Sequence, residues 1–525
     1  MPMNRRQFLG SLAAAATVVS THSLLAAASS RRPNIVVILA DDVGYGDLSC
    51  YGATSVHTPH LDSLAANGRR FTNAHADAAT CTPSRYAMLT GEYAWRHDGV
   101  QILPGDAKLL IDPRRATIPS VLKSAGYHTG LVGKWHIGLG NGTIDWNGEI
   151  RPGPREVGFD EAFFFPATAD RVPTVFVEDR RVVGLDAKDP IHVSYTHKIG
   201  DEPTGKEHPE LLKMGLSEGH DGTIVDGISR IGWMTGGTSA RWKDEEIAAT
   251  FTHKAVEFIE RNQAKPFLLY FTPSDIHVPR SPAKQFVGET TCGVRCDVIS
   301  QLDWSVGEIL ATLKRLHLEN DTLVVFTSDN GPVVNDGYDD GADHALGAHK
   351  PAGPWRGGKY SIQEGGTRVP LLVQWDGTVK PGTSDALISQ VDLLASFAAL
   401  ATSSVPAGSA LDSKNLLPLL LGRSNKGRDS LMEEADVLAI VEGQWKLVDR
   451  SQRPGNRPLP PALQPVSEDD ARVHWAQKVY PIAPLELYNL KNDPYELDNV
   501  AKEHPEMVER LRTKLNSIRR RATKF

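Results

Sequence analysis

The chain has 525 residues, 40% hydrophobic and 23% charged, with a formal net charge of −7. That is the composition of a large folded protein, and it excludes a disordered or fibrous class. No block of Lys or Arg lies inside the body, so no nucleic-acid partner is expected, and four cysteines are too few for a disulfide scaffold.

Arg5-Arg6 leads through Gln7-Phe8-Leu9 into an Ala-rich apolar stretch to Val19, and Ala26-Ala27-Ala28 follows. A charged start, a short apolar run and small residues describe a signal peptide over residues 1–28. The paired arginines resemble the twin-arginine export signal, which predicts a periplasmic or extracellular mature protein. No later stretch is long and apolar enough to span a bilayer.

Asn34–Leu39 is an unbroken apolar, β-branched run, the pattern of a strand buried on both faces. Phe267–Phe271 and Leu323–Phe326 repeat it. Between them, Thr117 before Ile118-Pro119 predicts a helix start and Gly126 its stop. Helical spacing is also read over Asp244–Asn262 and through Ile299, Leu302, Val306, Ile309, Leu310 and Leu313. Strands alternating with helices predict an α/β fold with a large, mostly parallel sheet covered on both faces.

Thr168–Gly237 is rich in Gly, Asp and Pro and reads as long loops with short strands, the composition of substrate walls over a sheet end. Cys292 and Cys296 fit equally a local disulfide or two buried thiols. A zinc pair is disfavoured, because no second Cys/His pair stands nearby at suitable spacing. The Ser-, Gly- and Pro-rich stretch Ala401–Asp429 predicts a boundary, dividing a catalytic domain over 29–428 from an α+β subdomain over 429–525. In the latter, Val437–Val448 reads as antiparallel strands, Asp493–Asn499 as a polar turn and Glu503–Arg521 as an amphipathic helix.

Three groups carry chemistry. Asp41-Asp42 directly follows the first strand, and Ser328-Asp329-Asn330-Gly331 follows the strand ending at Phe326. Ligands gather beyond the carboxyl ends of strands in open α/β sheets, and oxygen-only donors favour Ca²⁺ or Mg²⁺ over Zn²⁺. Each segment taken alone reads as a polar turn. The third group is Cys81-Thr82-Pro83-Ser84-Arg85, with Leu89-Thr90-Gly91 behind it. An isolated cysteine there is by default a buried thiol.

Together these residues resemble the formylglycine-dependent sulfatases, in the branch of the arylsulfatases and N-acetylgalactosamine sulfatases. Cys81-Thr82-Pro83-Ser84-Arg85 is similar to the family's C-x-P-S-R signature. Asp41-Asp42, Gly133-Lys134-Trp135-His136, Ile276-His277, Ser328-Asp329-Asn330-Gly331 and Arg356-Gly357-Gly358-Lys359 stand in the family's order. The resemblance extends to Leu487-Tyr488-Asn489-Leu490 and Asp493-Pro494. Glu92 departs from it, standing where relatives often have Arg, outside the modification signature.

The resemblance implies an alkaline-phosphatase-like fold and a sulfuric ester hydrolase. Cys81 would be converted to formylglycine by a formylglycine-generating enzyme or an anaerobic sulfatase-maturating enzyme. Asp41, Asp42, Asp329, Asn330 and the modified Cys81 would hold one Ca²⁺. Arg85 would support the hydrate, and Lys134 and Lys359 would bind sulfate oxygens. His277, with Lys359, would protonate the departing alcohol, and His136 would take the proton in the release step.

Leaving-group choice belongs to the loops, where Asp170, Arg171, His349, Lys350 and Arg356 are candidate substrate contacts. The pattern is similar to carbohydrate sulfatases of galactose or N-acetylgalactosamine type. Alternatives are an aryl sulfatase, a phosphomonoesterase or phosphodiesterase on the same fold, or a non-catalytic sulfated-glycan binder if Cys81 stays a thiol.

Overall fold

A computed structural model describes residues 32–451 and 483–520. The export segment read over 1–28 lies outside the described residues.

Ten strands form the main sheet: β1 (Asn34–Ala40), β2 (Arg69–Phe71), β3 (His128–Lys134), β4 (Glu161–Phe165), β5 (Val177–Glu178), β6 (Arg181–Val182), β7 (Phe267–Thr272), β8 (Thr322–Ser328), β9 (Leu371–Gln374) and β10 (Gly382–Ser384). Their order is β10-β2-β9-β8-β1-β7-β3-β4-β5-β6. The central five, β8-β1-β7-β3-β4, run parallel; on one flank β9 runs antiparallel to β8, and β2 antiparallel to β9, so β2 again runs with the central five.

Residues on both faces of β1 are buried. Ile35, Val37 and Leu39 enter one hydrophobic cluster, and Val36, Ile38 and Ala40 enter another. This explains the run without alternation, since neither face meets water. The helix read through Ile299–Leu313 spans Val294–Arg315, and that read over Asp244–Asn262 is a short 3₁₀ turn followed by Ile247–Asn262. Thr117 caps the helix Ile118–Ser124 by accepting a hydrogen bond from the Ser120 amide at 3.2 Å. The long loops over 168–237 carry only short strands, such as His192–Ser194 paired with Trp233–Thr235.

Beyond the boundary stretch, β11 (Leu431–Glu434), β12 (Leu438–Glu442), β13 (Trp445–Asp449) and β14 (Leu485–Asn489) form an antiparallel sheet in that order. A helix over Pro505–Arg519 covers it through Leu511 and Leu515, in a cluster shared with Tyr93, Leu387 and Val391. Lys446 is wholly buried on β13 and ion-pairs with Glu364, Glu433 and Glu496. A charge network therefore ties this sheet to the segment before β9. Among the described residues no helix is long and apolar enough to cross a membrane.

Cys292 and Cys296 form a disulfide, which decides between the two readings left open above.

Candidate active site

Parallel strands put their carboxyl ends on one edge of the sheet, and the polar motifs collect there. β1 ends at Ala40 beside Asp41-Asp42, β8 at Ser328 beside Asp329-Asn330, and β3 at Lys134 itself; His277 lies just beyond β7. Gly133 precedes Lys134 because β7 passes close by: a Cβ there would meet the Thr272 carbonyl oxygen at 2.2 Å, at φ +123°.

The helix Cys81–Thr90 brings the thiol. All ten of its residues are buried. Pro83 falls in the first turn, where its missing N–H would have had no helical partner. Thr82 donates to the His136 carbonyl at 2.9 Å, and Ser84 donates to the Ala78 carbonyl at 2.7 Å, so both polar neighbours are spent on fixing the helix start. Arg85, one turn after Cys81, lies on the same helical face.

Around this thiol the structure gathers three carboxylates and three cations, all buried. Lys134 Nζ donates to both oxygens of Asp41 at 2.8 Å. Arg85 donates to Asp329 Oδ2 from Nε at 2.9 Å, and its Nη2 ion-pairs with the same oxygen at 2.8 Å. Lys359 Nζ donates to Asp42 Oδ2 at 2.9 Å. The Cys81 sulfur is 3.8 Å from Asp41 Oδ1, and His277 Nε2 is 4.0 Å from Asp42 Oδ2. Asp42, His136 and Tyr360 all have positive φ, of 60°, 55° and 75°. Non-glycine residues held there mark a site the surrounding fold over-determines.

The electrostatics follow from burial set against these partners. Burial pushes the Asp41 carboxyl up, but Lys134, His277 and Arg85 outweigh it and hold it far below the usual range. Asp329 goes the other way, raised to about 6 by burial in spite of Arg85. Burial pushes the unmodified Cys81 thiol up to about 12, so as a thiol it would be a poor nucleophile at neutral pH. Burial and then Lys134 push His136 well below its ordinary value, and burial and then Lys359 lower His277.

The donor set fits a hard divalent cation. Asp41, Asp42 and Asp329 each offer a carboxylate oxygen within 4.8 Å of the others. Asn330 points its amide nitrogen to Asp42 Oδ1 at 2.7 Å, leaving its buried Oδ1 without a hydrogen-bond partner. Three converging carboxylate oxygens, with an unpartnered amide oxygen on a neighbouring residue, suit Ca²⁺. With three carboxylates already matched by three protein cations, a divalent ion would leave the centre positive and suited to an anionic substrate.

The candidate substrate contacts divide. Asp170 and Arg171 come to the same edge, but paired: Arg171 Nη1 donates to Asp170 at 2.8 Å, and His220 Nε2 lies 3.0 Å from Asp170 Oδ2. His349 is buried, with Nε2 2.9 Å from Asp47 Oδ1, and Arg295 donates to the same carboxylate, so both brace the Asp41–Asp47 loop. Arg356 also turns away, donating to the Glu496 carbonyl in the C-terminal segment, and Lys350 is exposed.

Asp336, Tyr360 and His220 were missed. Lys359 Nζ also donates to Asp336 Oδ2 at 2.9 Å, and the Tyr360 hydroxyl donates to Asp336 Oδ1 at 3.0 Å. Asn335-Asp336-Gly337 looks like any polar turn in sequence, and His220 lies in the loops with no motif around it.

Residues 33–403 match the Sulfatase family. The chain is 50% identical over 492 residues to the N-acetylgalactosamine-6-O-sulfatase of Bacteroides thetaiotaomicron, covering 93% of each. It is 32% identical over 494 residues to human arylsulfatase A, covering 91% of this chain and 86% of that one. A solved Bacteroides thetaiotaomicron structure, from work on the metabolism of multiple glycosaminoglycans, superposes with a TM-score of 0.88 at 50% identity, covering 94% and 100% of the two chains. The phosphonate monoester hydrolase of Agrobacterium radiobacter shares the fold, with a TM-score of 0.56 at 19% identity over 93% and 95% of the two chains.

Proposed function

The chain belongs to the sulfatase family, and from that premise we propose that it removes the 6-O-sulfate from N-acetylgalactosamine or a related galactose-type sugar, with Cys81 converted to formylglycine. The observation that carries this reading is the closure of buried ion pairs around Cys81: Lys134–Asp41, Arg85–Asp329 and Lys359–Asp42. The named activity of the 50% identical relative supports the choice of sugar.

Formylglycine at position 81, hydrated and bound with Ca²⁺ among Asp41, Asp42, Asp329 and Asn330, would supply an ionisable hydroxyl nucleophile and a second hydroxyl whose loss of a proton re-forms the aldehyde and expels sulfate.

The chain's own groups do the rest. Lys134 and Lys359 present ammonium groups to the sulfate oxygens as charge builds in an in-line displacement. Arg85 holds Asp329 and, through Nη1 at 3.3 Å, the Lys134 carbonyl, fixing two walls of the centre at once. His277 has Nδ1 committed to the Val278 carbonyl at 2.7 Å, so its Nε2 is the atom that, with Lys359, delivers a proton to the departing alcohol oxygen. His136 has Nε2 committed to the Leu103 carbonyl at 3.0 Å, while its buried Nδ1 has no hydrogen-bond partner. A neutral imidazole with an open acceptor is what a release-step base requires. Asp170, Arg171 and His220 would receive the sugar hydroxyls.

Residues 1–28 would direct export, and a formylglycine-forming enzyme would act on the signature beginning at Cys81. The catalytic segment would run over 29–428, with 429–525 as its C-terminal cover.

The test is the mass of the tryptic peptide containing Cys81, from protein purified out of its native host, with sulfate release from N-acetylgalactosamine 6-sulfate measured on the same sample. Aldehyde in place of thiol together with sulfate release is the expected result. A thiol in active protein would remove the mechanism, and a thiol in inactive protein would favour a sulfated-glycan binder.

A further inference from the structure

Lys359 must be held by something that the cation site does not claim. A lysine ammonium is a point charge on a flexible stem, so its position is imposed by its acceptors. One acceptor, Asp42, also takes the Asn330 amide at 2.7 Å and belongs to the oxygen cluster. The other, Asp336, stands outside that cluster and holds Nζ at 2.9 Å.

Asp336 is itself fixed. The Tyr360 hydroxyl donates to its Oδ1 at 3.0 Å, and the Tyr360 amide donates to the Ala79 carbonyl at 2.7 Å, two residues before Cys81. Tyr360 holds this place at φ +75°. For a bulky residue that conformation is strained, and the surrounding contacts must offset it. Contacts thus close from the Cys81 loop through Tyr360 and Asp336 to Lys359 and Asp42. Asp336 also lies with Asp42 and His277 in a group whose polar atoms are within 4.8 Å of one another.

On its other side Asp336 adjoins the sugar-facing group. Gly337 has φ +99°, and a Cβ there would meet His220 Nδ1 at 2.0 Å, so only glycine lets His220 lie against this turn. The Tyr338 ring packs on His220, centroids 4.7 Å apart, and His220 in turn holds Asp170. Asp336 therefore sits between the sulfate-binding lysine and the residues placed to meet the alcohol.

We propose that Asp336 is a positioning residue that, braced by Tyr360, fixes the Lys359 ammonium on the leaving-group side of the centre. It acts through Lys359 and touches no reacting atom. This rests on the function proposed above.

The experiment compares Asp336→Asn with the wild-type holoenzyme on two esters, N-acetylgalactosamine 6-sulfate and an aryl sulfate of an acidic phenol. A sugar alkoxide needs its proton and a phenolate does not. Asp336→Asn is expected to lower kcat on the sugar ester by about 10²–10³, with KM within about threefold, and to lower kcat on the aryl ester by less than about tenfold. Tyr360→Phe should act in the same direction, by about tenfold. Asp336→Glu should recover part of the sugar-ester rate. Equal losses on both esters, a change in KM alone, or no change would overturn the proposal. Wild-type protein inactive on both esters would be a failure of the proposed function instead. The crystal structure of Asp336→Asn would then decide: a displaced Lys359 Nζ supports the assignment, and an unmoved one overturns it.

Discussion

Replacing Lys134 by methionine removes one charge and nearly preserves volume, and its cost depends on what else holds Asp41. Both groups are about 1% exposed, and the ammonium lies 2.8 Å from both carboxylate oxygens. Without it, Asp41 keeps Arg85 Nη2 as an ion-pair partner at 3.5 Å. Stripping one partner from a buried pair costs about 3–5 kcal/mol, because the other charge stays buried and under-compensated. Thermal shifts per kcal/mol shrink with chain length and come to about 1–2 °C for a chain this long, so the midpoint should fall by roughly 3–10 °C in chelator. If Asp41 is a cation ligand, the same substitution in saturating calcium should cost less than half as much, since the ion takes over the compensation. Turnover should fall by about 10²–10³, the usual loss when one group stabilising developing charge is removed. Scanning calorimetry of both proteins in calcium and in chelator, beside a sulfate-release assay, reads all three quantities. An identical drop with and without calcium would remove Asp41 from the proposed ligand set. No drop in either condition would refute the energetic reasoning altogether.

His220→Ala takes one charge-assisted contact from Asp170, leaving the Arg171 pairing; kcat/KM for the sugar sulfate should fall by about 10–100-fold, with little change on an aryl sulfate. Parallel kinetics on the two esters check this, and equal losses would take His220 out of sugar recognition. Asp77→Asn probes a buried group with no assigned part in the chemistry. Burial, reinforced by Asp392, pushes the Asp77 carboxyl up to about 8 against the Ser389 hydrogen bond. The unfolded chain therefore loses this proton near pH 4 and the folded chain near 8, so stability falls as pH rises between those values, by up to about 1.4 kcal/mol per pH unit. The amide variant should lack that slope and gain relative stability at pH 8, as denaturant titrations at pH 5 and 8 would show; parallel slopes would contradict the assignment.

The boundaries read from sequence stood where local physics decides them. Thr117 and Pro119 start a helix by capping and by a fixed φ, and the run Asn34–Leu39 forms the strand Asn34–Ala40 because its five successive apolar residues, Ile35–Leu39, suit burial on both faces. The disulfide between Cys292 and Cys296 was one of two open readings, and spacing alone could not choose between them. The partners of His349 and Arg356 were hidden for a related reason. Which way a loop side chain turns depends on acceptors remote in sequence, here Asp47 and the Glu496 carbonyl.

Covalent order fixed the ingredients of the centre: a cysteine in a helix-starting signature, acids after two strands, and a lysine that closes a third. Those follow from residue type and short-range spacing, which a linear chain carries in full. Only the tertiary structure could bring Asp41 against Lys134 across 93 positions and Asp42 against Lys359 across 317. Parallel strands do this by delivering distant segments to one edge. Asp336, Tyr360 and His220 belong to that second class. Each is an ordinary turn or loop residue until the sheet edge supplies a lysine, a strained backbone or a carboxylate for it to hold.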